Sequence, residues 1–193
     1  LMKISVIIVA AGSSQRMGFD KLLAKLAGKP VLQHSIETFA DHPDVSEIIV
    51  VCPKNRFDAL RLDNNKTIIT RIDGGQDRHD SVAAGLGHLH SNSNFVAVHD
   101  GARPLITSQQ ISKVLEIAIE HDAATSERPV TETIKRVSTD GFANEALCRD
   151  NLWLMETPQI FKANLLKKAY DIVHKNGERV TDEVSAMELI HHK

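Results

Sequence analysis

The chain has 193 residues, 42% of them hydrophobic and 25% charged, with a formal net charge of −2. This is the composition of a globular chain that can bury a sizeable core as a single domain, and so small a net charge argues against a general nucleic-acid or membrane-surface binder. Cys52 and Cys148 are too few and too far apart for a disulfide framework or a Cys-rich zinc site, no apolar run is of transmembrane length, and no signal or transit peptide is read before the first strand, so a reducing cytoplasmic location is expected.

In chain order, "ISVIIVA" (4–10) is short, β-branched and almost continuously apolar, the pattern of a buried strand. It runs into Ala10, Ala11, Gly12, Ser13 and Ser14, which have almost no side chain, and then to Arg16 and Lys21. A small-residue loop at a strand end lets backbone N–H groups cradle an anion, and the two cations beside it point to a phosphate-rich ligand, a nucleotide. G-x-x-x-x-G-K-[ST] and G-x-G-x-x-G are both absent, which disfavours a Walker loop and a dinucleotide cofactor. The plainer alternative is a solvated turn with Arg16 and Lys21 on the surface.

Val31, Leu32, Ile36 and Phe39 then fall at helical spacing, and "EIIVVC" (47–52) and "TIITRI" (67–72) read as strands. "DGGQDRHDSVAAGL" (73–86) sets Gly74-Gly75 after a strand and opens a helix near Asp77, with Val82, Leu86 and Leu89 as its apolar positions. Glycines allow close backbone approach, and a helix N-terminus offers donors to a carbonyl or phosphate. A tight turn capped by Asp77 or Asp80 would use the same residues. "FVAVH" (95–99) is the next strand, and "VHDGARP" (98–104) puts Asp100 just past it, followed by Gly101 and Arg103. A lone carboxylate beside phosphates suits Mg²⁺; a surface salt bridge between Asp100 and Arg103 is the competing reading. Ile111, Val114, Leu115 and Ala118 continue the alternation with a helix.

Strands alternating with amphipathic helices predict an α/β fold, a mostly parallel sheet with helices on both faces. Ligands of such sheets bind beyond the carboxyl ends of the strands, so residues 10–21, 73–81 and 99–104 are expected to converge. Residues 128–152 break the rhythm: "TETIKRV" and "NEALCRD" flank "STDGFA", whose Asp140-Gly141 is a hairpin signal. A protruding two-stranded arm of this kind is marginal alone and is expected to pack on something, a second subunit among the options. Helical spacing resumes over 163–175 and after Thr181. None of the ten histidines makes H-E-x-x-H, which disfavours zinc, and His99 is expected to pack and orient its loop.

Taken together, these stretches resemble the cytidylyltransferases of the non-mevalonate isoprenoid pathway, the family that acts on 2-C-methyl-D-erythritol 4-phosphate. The resemblance rests on Ala10 to Gly18 with Lys21 (A-A-G-x-x-x-R-M-G…K), "LAGKPVL", "DGGxxRxxSV" at 73–82, "VHDGARP", "RDNLWLMETPQIF" (149–161) and "TDE" (181–183), and spans essentially the whole chain. It implies a Rossmann-like nucleotidyltransferase domain and transfer of CMP from CTP to methylerythritol phosphate. It also implies roles: Ala10, Ala11 and Gly12 around the nucleotide, with Gly101 beside them; Arg16 and Lys21 on the triphosphate; Gly75 and Ser81 on cytosine and ribose. Asp100 would hold Mg²⁺. Arg103, Thr157 and Thr181 would hold the methylerythritol phosphate, together with Thr133 and Arg149 carried by the arm of a partner in a homodimer. Two positions depart from the family pattern, Gln76 where relatives are often acidic and Glu132 before Thr133 in place of aspartate. The resemblance further implies a strand and an N-x-K-x-T segment beyond residue 193, whose lysine reaches the phosphates. The alternatives are a ribitol 5-phosphate cytidylyltransferase with the same nucleotide loops, and a nucleotide-binding regulatory protein without catalysis. Lys21 and Asp100 together argue against the latter, since binding alone does not require both.

Overall fold

The computed structural model describes residues 3–12, 18–63, 67–90 and 93–191. In chain order the elements are β1 (Ile4–Val9), β2 (Lys25–Leu26), β3 (Lys29–Pro30), α1 (Val31–Ala40), β4 (Val45–Val51), α2 (Lys54–Asp58), β5 (Ile68–Ile72) and α3 (Arg78–Gly87). There follow β6 (Phe95–Asp100), α4 (Ser108–His121), β7 (Ala123–Pro129), β8 (Ile134–Val137), β9 (Ala143–Leu147), β10 (Trp153–Lys162), α5 (Ala163–Asn176) and α6 (Glu183–Glu188).

Six strands form one sheet in the order β5-β4-β1-β6-β10-β7. β5, β4, β1 and β6 are parallel, and β10 is antiparallel to both β6 and β7. The period of two along the strands sorts their side chains onto two faces. Ile4, Val6 and Ile8 pack with Leu32, Ile36, Phe39 and Ile111 of α1 and α4, while Ile7, Ile49 and Val51 pack with Val82, Leu166 and Tyr170 of α3 and α5. Helix starts follow local chemistry. Thr107 accepts from the Gln110 N–H at 3.2 Å, and the Gln110 carboxamide accepts from the Thr107 N–H at 3.0 Å, a reciprocal cap for α4.

The strands and helices expected up to residue 121 are present, with boundaries moved by a residue or two: Ala10, Cys52 and Thr67 fall just outside β1, β4 and β5, Asp100 is the last residue of β6 instead of lying past it, and Leu89 falls beyond the end of α3. β7 and β10 had no signal of their own. β10 contains Pro158, which reads as a strand breaker, and the register against β7 shifts between Met155 and Gln159, around that proline. β7, "AATSERP", is polar and half-exposed at the sheet edge.

β8 and β9 pair antiparallel as a separate two-stranded sheet, with Gly141 at φ +91° in the connecting turn. This is the expected arm. It leaves the body from the carboxyl end of β7 and re-enters at the amino end of β10, where Trp153 faces Pro129. That is the end of the sheet on which Asp100 lies.

Candidate active site

Three loops meet at the carboxyl ends of β1, β5 and β6, and glycines make the meeting possible. A Cβ on Gly74 would lie 2.4 Å from the Ala11 Cβ and 2.7 Å from the Ser81 Oγ; one on Gly101 would lie 2.6 Å from a Leu32 methyl and 3.2 Å from the Ala10 Cβ. Gly74 thus brings the second loop onto the first at a distance no other residue permits, and Gly101 leaves little room for a side chain against Leu32 and Ala10. Of the two readings of 73–86, the cap is seen directly. Asp77 is the N-cap of α3, its N–H donating to the Asp80 carboxylate at 2.9 Å, and the glycines are also there for close approach.

The first loop is anchored from behind. The Ala10 N–H donates to Val51 O at 2.9 Å, and the Arg56 guanidinium of α2 donates to the carbonyls of Ala10 and Gly12. A Cβ on Gly12 would meet nothing within 4 Å among the described residues. Lys21 is exposed in the turn that follows. Arg16, with Ser13 and Ser14, lies outside the described residues. In the second loop Ser81 is buried, its hydroxyl accepting from the Gly75 N–H at 3.2 Å and donating to Asp77 O at 3.3 Å, while Gly75 and Gln76 are exposed.

Asp100 is the charged centre of the third loop. Its Oδ1 accepts from Arg78 Nε (3.3 Å) and Nη2 (3.2 Å), and its Oδ2 from Arg103 Nε (3.1 Å). The anticipated Asp100–Arg103 pair therefore exists, but within a larger network. The backbone behind it is held by a relay through a buried histidine. The Asp100 N–H donates to Thr157 Oγ1 at 3.1 Å, and Thr157 contacts His99 Nδ1 at 3.0 Å. His99 Nε2 lies 3.2 Å from Arg103 O, which can only accept, so Nε2 carries the proton and Nδ1 accepts from Thr157. Burial pushes the His99 pKa down to about 4, and its ring packs 4.9 Å from that of Phe39. His99 orients the loop as expected.

Residue-by-residue reading missed Arg78, the arginine of "DGGQDR". Besides Asp100, it makes a two-point bond to Glu183, Nη1 to Oε1 at 2.6 Å and Nη2 to Oε2 at 3.0 Å. Glu183 is fully buried and also accepts from the Tyr170 hydroxyl at 3.0 Å. Burial alone would lower the Arg78 pKa; hydrogen bonding and charge from Glu183, with the charge of Asp100, outweigh it and hold the guanidinium above its ordinary value. Burial, followed by the charge of Glu183, pushes the Tyr170 phenol up. Gln159 completes the tie: its Oε1 accepts from the Glu183 N–H at 3.1 Å and its Nε2 donates to Asp182 at 3.1 Å. Thr181 stands exposed at the start of this segment. The only available signal for this network was two charged residues inside motifs quoted whole.

Ala10, Ala11, Gly12, Gly75, Ser81, Asp100, Gly101, Arg103 and Thr157 thus share one end of the sheet, and Thr181 adjoins them through Glu183. Thr133 and Arg149 are exposed on the arm; among the described residues Arg149 bonds to Thr131 O, and no bond or ion pair joins either to Asp100. As a metal donor, Asp100 offers one carboxylate, 31% exposed, whose Oδ2 keeps a lone pair beside its bond from Arg103 while Oδ1 accepts twice from Arg78. Such a donor fits a hard cation that takes one or two carboxylates plus phosphate oxygens. Asp77, His79 and Asp80, the one three-residue group of possible ligands among the described residues, caps a helix. A cavity of about 350 Å³ lies at the opposite end of the strands, but its buried carboxylate, Glu47, is engaged by Ser5 (2.5 Å), Ser93 (3.2 Å) and the His90 N–H (3.1 Å).

Against known proteins, residues 4–193 match the sequence profile described as 2-C-methyl-D-erythritol 4-phosphate cytidylyltransferase. A protein of that name from Pseudoalteromonas atlantica is 40% identical, with 98% of this chain and 83% of the relative covered. The chloroplastic protein of that name from rice is 38% identical over 98% of this chain, which spans 65% of the rice protein's length. Among solved structures, the 2-C-methyl-D-erythritol 4-phosphate cytidylyltransferase of Francisella tularensis superposes with a TM-score of 0.85 at 32% identity, covering 99% of this chain and 88% of that one.

Proposed function

The chain belongs to the 2-C-methyl-D-erythritol 4-phosphate cytidylyltransferase family, and on that premise we propose that it transfers CMP from CTP to 2-C-methyl-D-erythritol 4-phosphate, releasing pyrophosphate, in isoprenoid precursor synthesis. The observation that carries the reading is the packing of Gly74 against Ala11 and of Gly101 against Ala10, beside Asp100. Bare backbone is thereby gathered next to one carboxylate, which suits a ligand that carries phosphates.

The reaction needs no general base. A phosphate oxygen of methylerythritol phosphate, already anionic, attacks the α-phosphorus in line as pyrophosphate leaves. The obstacle is bringing two polyanions together and stabilising the charge that spreads over the transferring group. Ala10, Ala11, Gly12 and Gly101 line the nucleotide, while Gly75 and Ser81 shape the surface that meets cytosine and ribose. Arg16 and Lys21 offset the triphosphate charge where it grows. Asp100 would hold Mg²⁺, which when bound neutralises and aligns phosphate oxygens. Arg78 suits this arrangement because it keeps Glu183 as a carboxylate partner when Asp100 turns to a cation. Arg103 and Thr181 would meet the second substrate, with Thr157, buried between the Asp100 N–H and His99, supporting them from behind.

The arm supports a homodimer in which Thr133 and Arg149 complete the partner's site. Val137, Phe142, Leu152, Trp153, Leu154 and Met155, on the arm and at its base, are all exposed, more apolar surface than an isolated hairpin keeps in water. Both cysteines are free, which suits a reducing compartment such as the cytoplasm.

The deciding assay is pyrophosphate release from CTP with methylerythritol phosphate and with ribitol 5-phosphate in parallel. Release with the first alone is expected. Preference for ribitol 5-phosphate reassigns the substrate, and CTP binding without release with either acceptor overturns the catalytic reading.

A further inference from the structure

We propose that Arg56 is a positioning residue for the nucleotide loop, setting the affinity for CTP from a helix that belongs to none of the three loops. It lies on α2, and its side chain is only 6% exposed. Its planar fork spends donors on three acceptors: Nε to Asp20 Oδ2 at 2.8 Å, Nη1 to Ala10 O, and Nη2 to Gly12 O at 3.2 Å. Two of these stand where the loop leaves β1, and the third where it returns. One side chain therefore grips both feet of the loop.

The grip has a direction. In a planar trans peptide the carbonyl of one residue and the N–H of the next point opposite ways. Drawing the Ala10 carbonyl back onto the guanidinium turns the Ala11 N–H away from Arg56. Asp20 is fixed a second time, its Oδ1 accepting from the Leu22 N–H at 3.0 Å, so the backbone on both sides of Lys21 is held. Asp20 neutralises the Arg56 charge, so the contribution is geometric and not a further attraction for phosphate. Only a guanidinium can do this, since an ammonium is a point donor that cannot span acceptors set in a plane around it. Buried behind the loop, Arg56 acts through the backbone it holds.

The inference rests on the nucleotide reading of this loop, and its test separates the two. CTP binding to the full chain is measured by calorimetry, and steady-state kinetics are run with each substrate varied, for the parent, Arg56→Met and Arg56→Lys. Circular dichroism and thermal unfolding establish that each variant is folded at the assay temperature. Arg56→Met should raise both Kd and KM for CTP about 10- to 100-fold, the usual effect of losing a group that orients a binding residue, with KM for methylerythritol phosphate within about twofold of the parent. Arg56→Lys keeps the charge, fills the same space and folds even where methionine fails to, and it should recover less than half of the lost affinity on a logarithmic scale. Folded variants that bind CTP as the parent does, whatever their melting temperatures, overturn the inference alone. A parent chain that does not bind CTP overturns the nucleotide reading and this inference with it.

Discussion

Replacing Arg78 with methionine tests whether the charged network behind Asp100 is organised as described. The substitution keeps the length and apolar stem but removes the guanidinium from Glu183, which is fully buried, leaving the Tyr170 hydroxyl as its side-chain donor among the described residues. Removing one partner of a buried ion pair costs about 3–5 kcal/mol, because the surviving charge stays desolvated. Arg78 itself is 29% exposed, so water can reach the vacated space and the lower half of that range is expected. At about 2–4 °C per kcal/mol for a chain of this size, the melting temperature should fall by roughly 6–16 °C, and against a total stability of about 5–15 kcal/mol the variant remains folded at room temperature in most of that range. Adding Glu183→Gln removes the orphaned charge while keeping an acceptor for Tyr170. The double variant should therefore be about 1–3 kcal/mol more stable than Arg78→Met alone, a coupling expected only of groups in contact. Urea unfolding followed by circular dichroism measures all four members of the cycle. A loss below about 1 kcal/mol for Arg78→Met, or a double variant no better than the single, would refute the assignment of Glu183 as a buried carboxylate held by Arg78.

Four further outcomes are expected. Lys21→Ala should lower kcat by about 10²–10³ while weakening CTP binding much less, as loss of one preorganised electrostatic donor does; unchanged turnover removes Lys21 from the mechanism. Asp100→Asn should keep the fold and lose the response of pyrophosphate release to added Mg²⁺, because a carboxamide lacks the charge a hard cation demands; parental activation by Mg²⁺ would show the ligand to be elsewhere. His99 and His42 are buried and their pKa values lie below the unfolded 6.5, that of His99 at about 4, so each contributes stability that is complete above pH 6.5 and lost as pH falls toward the folded value. For His99 alone this is about 3 kcal/mol by pH 4 at about 1.4 kcal/mol per pH unit. Glu47 and Asp182, whose pKa values are lowered, act further down, so urea midpoints at pH 7, 5.5 and 4.5 that do not decline would contradict the buried neutral imidazole. Finally, Asp100→Asn and Arg149→Ala, each nearly inactive alone, should restore roughly a quarter of parental activity when refolded together in equal amounts, since one heterodimer site carries both lesions and the other neither; a mixture no more active than its parts means that Arg149 serves its own chain.

The sequence by itself determined those parts whose cause is local. A run such as "ISVIIV" has one good solution, a strand buried on both faces, and Leu32, Ile36 and Phe39 can share an apolar face only on a helix. The loops after β1, β5 and β6 were legible for the same reason, because small residues at a strand end leave the backbone bare whatever surrounds them. The family could be read there too, since its motifs are contiguous strings. What the tertiary structure decided is every case in which the deciding partner is distant along the chain. Gly74 and Gly101 read equally well as turn residues until Ala11 and Leu32 are seen where their side chains would have stood. β10 carries a proline and a glutamate in what becomes a strand, and only the edges offered by β6 and β7 make it one. Glu183 has no local reason to be buried; it is affordable only because Arg78, 105 residues earlier, arrives beside it with two donors. Arg56 and Asp20 are ordinary surface residues by type, and they become the clasp of the first loop because α2 packs behind it. Pattern along a chain reports which face a residue prefers, whereas a charge or a glycine takes its meaning from what folding brings within 3 Å of it.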